Sequence, residues 1–128
     1  SLGVGVSEAT VTLPYRLDVS GSIRATGTVF QASDERLKEN ITGIDNASEI
    51  VNQIEGVYFN WNEGTDDRQV GVIAQQVEKV VPEVVSTDNK GYLNVAYSGI
   101  VPILVEAFKE QSEVIEKLEK RISALENK

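Results

Sequence analysis

Ser33-Asp34-Glu35-Arg36-Leu37-Lys38-Glu39-Asn40 marks the point where this chain changes character. Before it the sequence is short-stranded, dotted with glycine and nearly free of acid. After it, acidic segments alternate between strand-like and helix-like patterns and end in a heptad-patterned helix. That change divides the chain into a β-rich end over residues 1–32 and a small α+β domain over residues 33–128. The chain has no Cys and no His, so a hydroxyl nucleophile would need Lys or a carboxylate as its base. Ser33 and Lys38 lie on the boundary and suit such a pair.

Downstream of the octet, Leu37 to Ile44 reads either as a strand or as a first helical turn, and Gly43 weakens the helix. Asn46 reads as an N-cap with Glu49 three residues on, as in a capping box. Ile50, Val51 and Ile54 give that helix one apolar stripe, and Gly56 is expected to stop it. Val57 to Trp61 is a strand by propensity and alternation. Asn62 to Asp67 is a turn or exposed loop. Arg68 to Ala74 reads as a second strand, and Gln75 to Val81 as a short helix ended by Pro82. Val84 and Val85 begin another strand. Asp88-Asn89-Lys90-Gly91 is a hairpin turn, and Tyr92 to Tyr97 alternates as the partner strand. Ser98 reads as an N-cap for the last helix, with Pro102 tolerated only in its first turn.

That last helix, over about residues 99–127, is the clearest element. Val101, Leu104, Phe108, Gln111, Ile115, Leu118, Ile122 and Leu125 step by three and four, and seven of these eight are apolar. This is an a/d seam over four heptads. Its first part, Val101 to Phe108, is expected to pack on the chain's own body. Ile115 to Leu125 lies beyond any remaining core and is expected to pack on other chains. Arg121 and Glu126 stand at g and e positions and are able to pair between helices. Ile at a with Leu at d leans towards a dimer. Gln111 at d would fix register at some cost in stability.

Upstream of the octet, Leu2 to Val6 and Glu8 to Leu13 alternate, and Pro14 breaks the run. Ser20-Gly21 is a turn signal. Ser22 to Phe30 reads as another strand, with Ile23, Ala25, Gly27 and Val29 on one face. About 30 such residues cannot bury enough surface to fold alone. Either they are a disordered leader, or they are the last piece of a β-rich fibre intertwined with copies of itself.

Composition narrows the function. The chain has 128 residues and 41% hydrophobic content, enough for one small core. Twenty acids against twelve bases give a net charge of −8, which disfavours a nucleic-acid surface or docking on anionic lipid. The longest apolar runs are far too short to span a bilayer. The first residues do not read as a signal peptide, and Ser1 is expected to lie inside a longer protein. Asp66, Asp67 and Asp88 lack calcium-loop spacing, no other metal site or cofactor is indicated, and no glycine loop suits a phosphate.

The Ser33–Lys38 pair has a geometric problem. A serine hydroxyl needs a base within about 3 Å. A lysine serves as that base only when burial or a neighbouring cation frees it of its proton. Arg36 is near enough in sequence to be that cation, whereas Asp34, Glu35 and Glu39 would oppose it. Residues i and i+5 face opposite sides of a strand and stand about 140° apart on a helix. The pair can meet only across a bend or with help from another subunit. The octet also reads more plainly, as an Asp or Ser N-cap opening a charged helix with Lys38 in solvent.

Three segments together carry a family resemblance. Ser33-Asp34-x-Arg36-x-Lys38, then Gly71 to Val85, then Val95-Ala96-Tyr97-Ser98, resemble the C-terminal intramolecular chaperone domain of phage tail fibres and endosialidase-type tailspikes. The segment Leu17 to Ile23 looks like what often precedes that domain. The resemblance covers roughly residues 33–128. It implies a homotrimer, with a coiled coil through Gln111, Ile115, Leu118, Ile122 and Leu125, that folds the upstream fibre of the same chain. It further implies autoproteolysis, with Ser33 as nucleophile, Lys38 as general base, Asp34 and Arg36 in support, and cleavage next to Ser33, most simply at Ala32–Ser33. The fibre would stay in the virion tail, and the chaperone would act in the host cytoplasm and be released. The alternatives are a non-cleaving chaperone of the same fold and a permanent structural or receptor-binding fibre tip.

Overall fold

The structure, a computed structural model, describes residues 2–4, 15–64 and 67–128. It divides into two compact units: Ser1–Thr42 with Asp88–Lys90, and Gly43–Thr87 with Gly91–Lys128.

In the first unit, β1 (Leu2–Val4) pairs in parallel with β2 (Leu17–Val19), Leu2 opposite Leu17 and Val4 opposite Val19. The expected strand over Glu8 to Leu13 lies outside the described residues. The Ser20-Gly21 turn is present, and Gly21 holds a φ of 141° that a side chain would strain. Ser22 to Phe30 forms no strand, contrary to its alternation. Alternation specifies a strand only where a neighbour supplies hydrogen bonds, and here Phe30 is 90% exposed. Glu35–Leu37 is one turn of 3-10 helix, and Lys38 leaves it in an extended conformation.

The second unit carries the mixed helix-and-strand body, an α+β arrangement. Its first helix is α1 (Ala47–Asn52). Next, β3 (Val57–Phe59) and β4 (Gln69–Gly71) pair antiparallel, Tyr58 opposite Val70. α2 (Ala74–Val80) follows, and Pro82 opens a 3-10 turn in its wake. β5 (Val85–Thr87) and β6 (Leu93–Val95) form the expected hairpin, with the Asp88 carboxylate accepting the Lys90 N–H at 2.9 Å in its turn. A 3-10 turn over Tyr97–Gly99 then runs into α3 (Ile100–Glu126), which has 27 residues.

The core is small: Ala47, Val77, Val81, Ile103 and Ala107 are buried, with Ile50, Val51, Ile54, Val72 and Val84 packed around them. Ala47 and Ala107 lack bulk, so α1 and α3 lie close enough for the Ser48 hydroxyl to reach the Ala107 carbonyl at 3.3 Å. The Tyr97 hydroxyl accepts the Val72 N–H at 3.1 Å. A Cβ at Gly71 would come within 2.5 Å of that hydroxyl, so the approach needs glycine there.

Several expectations are corrected. Asn46 does not cap α1 with its side chain; it holds a left-handed φ of 54° and makes no capping bond. The Glu110 carboxylate takes over, accepting the N–H groups of Ala47 at 2.7 Å and Ser48 at 3.2 Å. The helix ends at Asn52, before Gly56. Ser98 caps nothing, because it lies inside the 3-10 turn that feeds α3, and Gly99 at the cap position already has helical angles. Pro102 sits in the first turn of α3, as expected. The seam does not pack on the body over Val101 to Phe108. α3 buries Ile103 and Ala107, one flank away, and leaves Val101, Leu104 and Phe108 exposed.

Candidate functional site

The octet folds on itself. The Asp34 carboxylate accepts the backbone N–H of Arg36 at 2.9 Å and so caps the turn that begins at Glu35. The backbone closes it: Leu37 N–H donates to the Asp34 carbonyl at 3.0 Å, and Lys38 N–H to the Glu35 carbonyl at 3.1 Å. Three residues of tight turn reverse what a strand would have set on opposite faces. Lys38 Nζ donates to Ser33 Oγ at 2.7 Å within one chain. Both residues are exposed.

Arg36 pairs with Asp34. Its Nε donates to Oδ1 at 3.1 Å and its Nη2 to Oδ2 at 2.9 Å, a two-pronged pair. The Arg36 guanidinium holds the Asp34 carboxyl below its usual range, the backbone hydrogen bond adds to this, and Asp34 raises Arg36 in return. The cation expected to assist Lys38 is thus itself paired with a carboxylate. Ala32 lies in exposed, irregular chain beside Ser33.

The residues assigned to a coiled coil stand elsewhere, on α3. Ile115, Leu118, Ile122 and Leu125 are all exposed, at 55, 46, 53 and 64%. Val114 and Val105 flank the same stripe and are also exposed, so the apolar face is wider than an a/d seam. Gln111 differs: its Nε2 donates to the Ser48 hydroxyl at 3.0 Å, tying that position to α1 of its own chain.

The second and third quoted segments meet in space. Gly71 and Val72 from one lie against Tyr97 from the other, and Val77 is wholly buried. Gln76 accepts the Glu55 N–H at 3.1 Å and donates to the Glu55 carboxylate at 3.2 Å. Their role in the structure is to build the body. Sequence reasoning missed Glu110 and Ser48, which hold α1 on α3, because the heptad pattern places Glu110 off the seam.

Residues 33–86 match the family model described as chaperone of endosialidase, a family named as a peptidase. This stretch is similar to that family. The matched stretch begins at Ser33, contains Asp34, Arg36 and Lys38, and ends before β6 and α3. The chain is 34% identical over 102 residues to the long tail fiber protein Gp37 of Enterobacteria phage K3, covering 73% of the chain and 8% of that protein. It is 28% identical over 106 residues to the Gp37 of Salmonella phage S16, covering 75% of the chain and 14% of that protein. Against the Gp37 of Enterobacteria phage M1 it is 34% identical over 99 residues, covering 70% of the chain and 39% of that protein. The chain thus spans well under half the length of each of these tail fibre proteins. Among the described residues, no helix is long and apolar enough to cross a membrane.

Proposed function

We propose that this chain is the C-terminal intramolecular chaperone of a phage tail fibre or tailspike, and that it releases itself by autoproteolysis next to Ser33. The observation that carries the reading is the 2.7 Å contact between Lys38 Nζ and Ser33 Oγ, at the first residue of the family stretch. Three chains associate through the exposed seam of α3 and bring their upstream segments together. The width of that apolar face, with Val105 and Val114 beside the a and d positions, favours more than two helices around it.

Cleavage requires the hydrogen bond to reverse. A neutral Lys38 amine takes the Ser33 hydroxyl proton as Oγ bonds to the Ala32 carbonyl carbon. The C–N bond of Ala32–Ser33 breaks, and the proton passes from Lys38 to the departing nitrogen. Water then hydrolyses the ester. Burial is what makes a lysine a base, and both residues are exposed in the lone chain. The reading therefore has assembly complete the site, so that cutting follows correct association. The released fibre is then trapped kinetically, its folding template gone. The fibre part belongs to the virion tail, and the chaperone acts during assembly in the host cytoplasm.

A non-cleaving chaperone of the same fold is the second reading. It is favoured by the exposure of both residues. Intact mass of freshly made wild type beside Ser33→Ala and Lys38→Ala decides. Two products from wild type and one from each variant are expected. A single uncut mass from an assembled wild type sinks the peptidase and leaves the chaperone.

A further inference from the structure

We propose that Asp34 and Arg36 are positioning residues, whose paired turn folds the five-residue separation of Ser33 and Lys38 into hydrogen-bond distance. This rests on the reading of Ser33 and Lys38 given above. Nothing in regular secondary structure brings i and i+5 together. What does so here is a sequence of backbone states: Asp34 extended, Glu35–Leu37 tightly wound, Lys38 extended again. Beside the Lys38–Ser33 contact, the side-chain bonds that hold that turn among the described residues are those of Asp34 with Arg36. One carboxylate oxygen accepts from both the Arg36 N–H and Nε, and the other accepts from Nη2.

The pair is local, spanning two residues, and calls on no other element. It is able to set the turn in each chain before any assembly. An exposed ion pair contributes little to folding stability, and here Arg36 is 87% exposed. Its removal is therefore expected to disturb the turn and leave the fold intact. Arg36 acts by geometry, since its charge is matched by Asp34 and is not available to Lys38. Asparagine at 34 keeps an oxygen for the Arg36 N–H and loses the ion pair. Lysine at 36 keeps the charge and loses the planar fork.

The test has two arms on the full chain. The first is the rate at which cut product appears in freshly made protein. Asp34→Ala is expected to slow it about a hundredfold and Asp34→Asn about tenfold, the scale of a small misplacement of a reacting group. Arg36→Lys is expected to fall between wild type and Arg36→Ala. Sedimentation should show unchanged assembly in all four. Equal rates across the series overturn the proposal. The second arm uses Ser33→Ala, which cannot cut. A nuclear Overhauser contact between the methyl introduced at position 33 and the Lys38 ε-methylene is expected, and adding Asp34→Ala is expected to abolish it. A contact that survives Asp34→Ala overturns the positioning role whatever the rates do. Absence of cutting in wild type counts against the peptidase reading alone, because the second arm still decides the turn.

Discussion

The Glu110 carboxylate of α3 accepts the backbone N–H of Ala47 at 2.7 Å and that of Ser48 at 3.2 Å, so a side chain more than sixty residues away caps α1. Helix N-termini leave several N–H groups without partners, and a cap satisfies them. Usually the residue before the helix supplies the oxygen, but Asn46 has turned into a left-handed conformation and makes no such bond. The cap is thus also the tie between α1 and α3.

Glu110→Ala is expected to destabilise the second unit by about 1–2 kcal/mol, the usual cost of losing a cap. Each kcal/mol lowers Tm by roughly 4–8 °C in a domain of this size. Glu110→Gln keeps one good acceptor and should cost less. Thermal unfolding by circular dichroism, at fixed protein concentration, measures both. If Glu110 were an ordinary surface residue of a long helix, Ala would change stability by no more than about 0.5 kcal/mol. A Tm within error of wild type would refute the cap.

Asn46 gives a second check, because the two accounts of it rank substitutions differently. A side-chain cap tolerates Thr and Ser well. A residue held at a φ of 54° does not, since a β-branched side chain is costly there and glycine is favoured. Asn46→Gly is expected to equal or exceed wild type in stability, and Asn46→Thr to lose about 1–2 kcal/mol. Thr outperforming Gly in denaturant unfolding would restore the capping box.

Asn46 also shows where the sequence was readable. That a helix starts there was legible, since the polar residue and apolar stripe say so; that its cap arrives from residue 110 was not, because nothing local encodes a tertiary partner. α3 was legible as a helix from its strict spacing over four heptads. Which face it turns inward was not. Ile103 and Ala107 make a weak pattern beside the seam, and alanine buries well mainly because it lets backbones approach. The strand expected over Ser22 to Phe30 failed for the opposite reason: its alternation is real, but no neighbour among the described residues pairs with it. Ser33 and Lys38 were legible as a possible pair. The bend that joins them turns on Asp34 capping a three-residue turn, and the same residues also spell the start of a helix.

The Asp34–Arg36 pair sets a pH dependence. The Asp34 carboxyl is held below its ordinary value of 3.8, first by the Arg36 side chain and then by the Arg36 backbone N–H. A depressed carboxyl stabilises the folded turn above its unfolded pKa, and that contribution is lost as pH falls through the lowered value. The turn is therefore expected to be fully formed at pH 5 and above, roughly a unit clear of the usual aspartate range, and to loosen in stronger acid. Carbon-13 titration of the Asp34 carboxyl in Ser33→Ala should show a midpoint below the ordinary aspartate value of 3.8. Arg36→Ala should bring it back up. A midpoint that ignores Arg36 means the pair does not persist in water.

The face of α3 supplies the test on which the chaperone reading turns. Leu118 and Ile122 are 46 and 53% exposed in the single chain, and neither touches its core. Replacing both by Glu therefore costs the isolated chain almost nothing, since surface changes away from packed features stay within about 0.5 kcal/mol. In an assembled coiled coil the same residues would be buried a and d knobs, and unpaired carboxylates there are strongly destabilising. Leu118→Glu with Ile122→Glu is thus expected to convert a trimer to a monomer, with the helix content of α1 and α2 kept. Sedimentation equilibrium over a range of concentrations reads the mass directly. Wild type sedimenting as a monomer throughout, or the double variant remaining a trimer, would each remove α3 as the element that gathers the chains, and with it the reason for cutting only after assembly.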